Sequence, residues 1–207
     1  MSENFLPKNA TIDVSKYIKL IDDVNAKELS RIFEVPVSKI PANPGSVDPS
    51  FKARCIFQEP EYKYSIQLLN LSKENPLEKV GRLLNNSKIK NQRCLVIANS
   101  FCLWGEREKF VEAFFISPKS KGSFFTLAGF WYEESNEKNC TIATCPSNVA
   151  IKHIQKRMPG MIHNVHRAEW LVRGYIGQSR LERYASDYPV DEIIVQPAEE
   201  YAKKFIG

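Results

Sequence analysis

The stretch "IKHIQKRMPGMI", Ile151 to Ile162, gathers the side chains most able to act on a ligand. Lys152, His153, Lys156 and Arg157 stand within six residues of one another beside a Met-Pro-Gly turn. A histidine can move protons near neutral pH, and an arginine fork matches phosphate geometry. His163 and His166, in "HNVH", repeat at i,i+3 but have no carboxylate close in sequence. Two imidazoles at that spacing make a thin metal site, so no metal is expected. The five cysteines, Cys55, Cys94, Cys102, Cys140 and Cys145, are odd in number, and the close pair Cys140 and Cys145 lacks CxxC spacing. They read as small buried side chains of a reducing compartment, since free Cys is among the most buried residue types. "NSFCLW" lacks the glycines of a nucleophile elbow. The nine glycines are dispersed, with no phosphate-cradling loop, and no cofactor is expected.

Positive charge is unevenly placed. The chain carries a net charge of +5, which alone argues for no particular partner. Between Glu78 and Glu106 no acidic residue occurs, while Lys79, Arg82, Lys88, Lys90 and Arg93 accumulate. Between Glu137 and Glu169 there is again none, and Lys138, Lys152, Lys156, Arg157 and Arg167 lie inside with all three histidines. If the fold joins the two windows they make a nucleic-acid groove; otherwise they are solvated faces. Aromatic residues crowd the same windows, Trp104 among them, as core packing or as base-stacking platforms.

The elements that must position these groups follow from periodicity. "DVSKYIKLIDDVNAKELSRIFEV" places apolar residues at helical intervals and predicts one or two helices. "PVSKIPANPGSVDPS", with four prolines, is a loop. "FKARCIFQ" and "YKYSIQLLNL" predict a hairpin across "EPE", and "ENPLEKVGRLLNNSKIKN" a short helix. "RCLVIANSFCLW", "VEAFFIS", "FFTLAGFWY" and "CTIATC" predict strands of one curved, mostly antiparallel sheet. "PSNVAIKHIQKR" then predicts a short helix capped by Ser147. "HRAEWLVRGYI" and "QSRLERYAS" predict helices, "DEIIVQP" a strand, and "EEYAKKFIG" a helical tail. The class is α+β, with helices flanking the sheet. At 207 residues one domain over 1–207 is expected. No secretory signal or membrane span is visible in the sequence, so a cytoplasmic monomer is expected.

The order of "QRCLVIANSFCLW", "VEAFFI", "FTLAGFWYEE", "CTIATCPSN" and "IQKRMPGMI" resembles the SRAP family, the SOS-response-associated peptidases that sense abasic sites in single-stranded DNA. Family members carry, in this order, segments like RCLVPADGFYEW, PYFI, AGLWE, TILTTEAN and IHDRMPVIL. The resemblance is firmest over residues 92–162 and needs no gap from Asn148 to Pro159. A looser echo precedes it, where "YSIQLLNLSK" stands in place of a strand ending in WGLIP.

The resemblance implies an SRAP-like fold and a chemistry that this chain departs from. In the family, an N-terminal Cys captures the abasic aldehyde through its amine and thiol as a thiazolidine. Here Ser2 stands at that position, and a hydroxyl is a weak nucleophile. The family's proton-transferring Glu falls on Leu103 and its acid-base His on Gln155. Neither has a usable pKa. No Asn-x-Arg-x-Glu motif occurs between Lys73 and Gln92, and His153, two residues from the lost histidine, would point elsewhere on a short helix. What the resemblance leaves is a non-catalytic binder of single-stranded or abasic DNA in the DNA-damage response. Its contacts would come from Arg157, Lys156, Arg93, Lys90, Lys88 and Trp104, with Lys152 on the same face. For Arg157 the alternative is a bond to backbone carbonyls that closes the turn. Two other readings stay open: an interaction or structural protein with no nucleic-acid role, and family activity retained through Ser2.

Overall fold

The computed structural model describes residues 18–47, 52–72, 76–107, 110–172, 174 and 176–198. Twelve strands form two sheets among these residues. The first contains β1 (Lys19–Asp22), β2 (Gly45–Val47), β7 (Ser100–Arg107), β8 (Phe110–Pro118) and β12 (Ile193–Pro197), in the order β12-β8-β7-β1-β2. All its pairings are antiparallel. The second contains β3 (Lys52–Gln58), β4 (Tyr64–Leu71), β5 (Leu77–Lys79), β6 (Arg93–Ala98), β9 (Phe125–Glu134), β10 (Glu137–Pro146) and β11 (Arg157–Pro159). Its order is β11-β10-β4-β3-β6-β9, and β9 pairs back with β10. Five strands therefore close into a barrel, which removes the free edges an open sheet would expose. Only β10–β4 and β10–β5 run parallel.

The expectation of one curved antiparallel sheet is thus met by two sheets, and the reason is Asn99. "RCLVIANSFCLW" reads as a single apolar run, but β6 ends at Ala98 and β7 starts at Ser100 in the other sheet. Asn99 ties the corner to the end of β1: its N–H donates to Ile21 O at 2.7 Å, and its side-chain oxygen accepts from the Asp23 N–H. β6 is buried at all six positions because both of its faces are covered. Cys94 and Val96 join a cluster with Leu69, Leu127 and Ile142 that continues to Phe101, Leu103 and Phe114 of the first sheet. Leu95 and Ile97 join a second cluster with Trp170, Leu171, Leu181 and Tyr184. Gly129 of β9 sits opposite Cys94, where a Cβ would lie 2.7 Å from the Cys94 sulfur, so a side chain there would force the barrel wall apart.

Four helices complete the described fold: α1 (Ala26–Phe33), α2 (Val80–Asn85), α3 (Arg167–Leu171) and α4 (Gln178–Ser186). Asn25 caps α1 by accepting from the Lys27 N–H at 2.8 Å, which explains why the helix starts only there. The residues just before it, expected as helix, are strand β1, since Lys19–Asp22 alternates in burial and pairs on both edges. Residues 13–17 of that expected helix and the expected tail 199–207 lie outside the described residues. Leu77–Lys79 was also expected as helix; it is a strand beside β10, and only Val80–Asn85 coils. The hairpin of β3 and β4, helix α4 and strand β12 stand where the periodicity predicts them.

The segment after β10 is a pair of turns in place of the predicted helix. Its cap is Asn148, not Ser147: the Asn148 side-chain oxygen accepts from the Ala150 and Ile151 N–H groups at 3.1 and 3.2 Å. One turn follows before Ile154 and Gln155 meet β7.

Candidate functional site

β7 and the turn between β10 and β11 bring together the positions that the family uses for proton transfer. Leu103 is fully buried in the shared core with Ile151, Ile154 and Met158. Across the ladder it faces Phe114 of β8. The next residue, Trp104, is half-buried, and its carbonyl oxygen accepts from Gln155 Nε2 at 2.9 Å. Gly105 lets the turn approach this closely, because a Cβ there would lie 3.1 Å from Ile154 Cγ2 and 3.3 Å from Ile154 O. Gln155 is buried, and His153 lies outside on an exposed position with its ring edge-on to Phe114 at 6.1 Å. The positions that the resemblance aligns with Glu and His hold here a buried leucine and an amide bonded to the neighbouring carbonyl.

No cysteine supplies a nucleophile. All five are free thiols in the buried core. Burial pushes Cys102 and Cys145 up to about 12 and raises Cys94 as well. A thiol so placed is uncharged at neutral pH, and the thiolate is the reactive form. Ser2 lies outside the described residues.

The cationic residues divide into several surroundings. Arg93 was expected on a DNA surface; its side chain is 5% exposed and its guanidinium is spent on carbonyls. Nε donates to Trp170 O at 2.7 Å, Nη1 to Lys90 O at 2.8 Å, and Nη2 to Val172 O and Gly174 O. It fastens the α3 region to the barrel, which corrects the expectation. Lys88 and Lys90 are exposed beyond α2. Lys88 flanks a cleft of about 990 Å³ in which Arg82 is the other cation and Glu78, Glu133, Glu134 and Glu137 supply carboxylates. That cleft is weighted against phosphate. Lys152 and Lys156 are exposed on the turn that packs against β7, while Lys79 of the first basic window lies in register with Thr144 of β10.

Arg157 lies between. Its Nε donates to Thr144 Oγ1 at 3.0 Å and its Nη2 to Thr144 O. Thr144 Oγ1 in turn donates to Glu78 O at 3.2 Å, so the Arg stitches β11 to β10 and β5. This is the turn-closing alternative; Nη1 has no partner among the described residues. His163 and His166 also part company. His163 Nε2 lies 3.6 Å from Glu192 Oε1, while the His166 ring stacks on Tyr184 at 4.2 Å. Among the described residues no group of three metal-ligating side chains comes together, and no helix is long and apolar enough to cross a membrane.

A closed barrel backed by a second antiparallel sheet, with the β10–β11 turn laid on β7, defines an α+β protein of a recognisable class. The family model for SOS response associated peptidases (SRAP) matches residues 57–204, and the chain belongs to that family. Among solved structures, a protein from Bordetella bronchiseptica superposes with a TM-score of 0.73 at 14% identity, covering 86% of this chain and 98% of its own. A protein from Bacteroides thetaiotaomicron gives 0.68 at 13% identity, with 86% and 90% covered. A phage-related protein from Bordetella bronchiseptica gives 0.64 at 12%, with 86% and 92% covered. These likenesses show the fold. No curated protein sequence matches the chain.

Proposed function

We propose that this chain is a non-catalytic SRAP protein that binds single-stranded or abasic-site DNA without a covalent bond, in the DNA-damage response. The observation that carries the loss of chemistry is the packing of Leu103 and Gln155. One is fully buried among aliphatic side chains, and the other is held by the Trp104 carbonyl. No proton donor or acceptor stands there. The cysteines add to this reading, since each thiol is buried and lacks the adjacent free amine that thiazolidine formation needs.

What supports DNA contact is narrower than the sequence suggests. Lys152 and Lys156 are exposed on the turn that ends at Arg157, and that Arg keeps one nitrogen uncommitted among the described residues. Such cations would bind the phosphate backbone with no sequence preference, and the binding would weaken with salt as counterions are released. A second reading, an interaction protein without a nucleic-acid role, is favoured by the burial of Arg93 and the acid-weighted cleft around Lys88.

Titration of undamaged single-stranded oligonucleotides at several salt concentrations separates the two. The DNA reading expects a salt slope that becomes shallower in the Lys152→Ala/Lys156→Ala variant. Undetectable binding at low salt, or a slope unchanged in that variant, favours the interaction protein.

A further inference from the structure

Arg167 is the first residue of α3 and sits half-buried near two aromatic rings. Its Cζ is 5.7 Å from the Phe33 ring centroid and 5.3 Å from that of Phe124. Its Nε donates to Thr126 Oγ1 at 3.1 Å, and Thr126 Oγ1 itself donates to Ile162 O at 2.8 Å. The threonine is therefore oriented by one bond and orients the arginine by the other. Two neighbouring rings and a bonded Nε restrict the guanidinium. The terminal nitrogens have no partner among the described residues.

Among the described residues no carboxylate pairs with this cation. Half-buried charges are normally paired, because lost hydration is otherwise uncompensated. Glu192 lies 3.6 Å from His163 Nε2. The group that Arg167 feels electrostatically is the Tyr188 hydroxyl. Burial, followed by the charge of Glu192, raises Tyr188 above its ordinary value, so it is neutral at physiological pH and offers a hydrogen-bond donor instead of a charge. The Tyr188 ring is also braced, edge-on to Phe125 at 5.5 Å and to His163 at 5.8 Å.

We propose that Arg167 is the anchor of an oxyanion site that takes a phosphoryl group through the terminal nitrogens of its held guanidinium. The site is separate from the Asn148–Arg157 turn and does not rest on the DNA-binding reading. Its chemistry is that of a planar fork on two phosphoryl oxygens, charge-assisted and preorganised by Phe33, Phe124 and Thr126. The phosphoryl group comes either from a free phosphate or from the backbone of a single strand.

The test titrates the whole chain with inorganic phosphate, followed by phosphorus NMR at constant ionic strength, and repeats it with Arg167→Gln and Arg167→Lys. Saturable binding is expected in the parent, weakened about tenfold or more in R167Q. R167K keeps the charge over the rings but loses the fork, and binding is expected to fall by several-fold. A strand of oligothymidylate without terminal phosphates is then added. Displacement of phosphate in the parent assigns the site to a nucleic-acid backbone, and lack of displacement assigns it to a free phosphate; each keeps the site. Absence of saturable phosphate binding in the parent overturns the proposal. So does equal affinity in the parent and in whichever of the two variants folds. Strand binding that persists unchanged in R167Q alongside such a result would leave the DNA reading standing while removing this site.

Discussion

Gln155 donates its side-chain amide to the Trp104 carbonyl oxygen at 2.9 Å, and this bond fastens the β10–β11 turn onto β7. It stands where the SRAP family places an acid-base histidine against a glutamate. The amide that holds the turn cannot titrate, and Leu103 of β7 is fully buried.

Restoring the family's carboxylate should therefore damage the fold before it restores chemistry. Leu103→Glu would place a charge in the apolar cluster with Ile151, Ile154 and Phe114. A loss of about 3 kcal/mol or more is expected from burying an unpaired ionisable group. Urea denaturation measures it. A cost below about 1 kcal/mol, the range of surface substitutions, would mean that position 103 opens to solvent.

The thiols offer a second check. With five free cysteines in the buried core, a thiol-specific chromophoric reagent should label none in the folded chain within minutes and all after denaturation. Rapid native labelling of even one equivalent would reveal an accessible thiol and reopen nucleophilic chemistry.

Stability should fall in acid through Glu169. The hydrogen bond from Tyr184 holds its carboxyl below the usual range, helped by Arg180 and His166. A folded-state pKa below the unfolded value means that the stabilisation is present above the unfolded pKa. It is lost as pH falls through the folded one. Melting temperatures measured downward from neutrality should therefore drop more steeply in the parent than in Glu169→Gln. Parallel curves would show that the Glu169–Tyr184 contact contributes no proton linkage.

What the sequence made legible follows from range. The β3–β4 hairpin is local, and its two strands declare themselves by composition around a Pro-containing connection. Leu103 and Gln155 are singled out because each falls inside a segment that resembles the family's, and Asn148 to Pro159 needs no gap. The bend at Asn99 is not, because the polar side chain that marks it meets Asp23, 76 residues away. Arg93 reads as a surface cation for the same reason: its carbonyl partners Trp170 and Val172 are 77 and 79 residues further on. The buried pair of Arg54 and Asp22, bonded at 2.7 Å through Nε, likewise spans 32 residues, and nothing in either segment announces the other. Charge counted along a chain cannot tell a groove from a set of internal ties. Of the cations in the basic windows, Lys88, Lys90, Lys152 and Lys156 are exposed, whereas Arg93 is an internal tie.

The central claim is that the SRAP framework here no longer forms a covalent bond with DNA. The purified chain, incubated with single-stranded DNA carrying one abasic site and run on a denaturing gel, tests it directly. The account predicts free DNA and free protein, with no slower band, even where native gels show binding. A heat-stable protein–DNA adduct would contradict it.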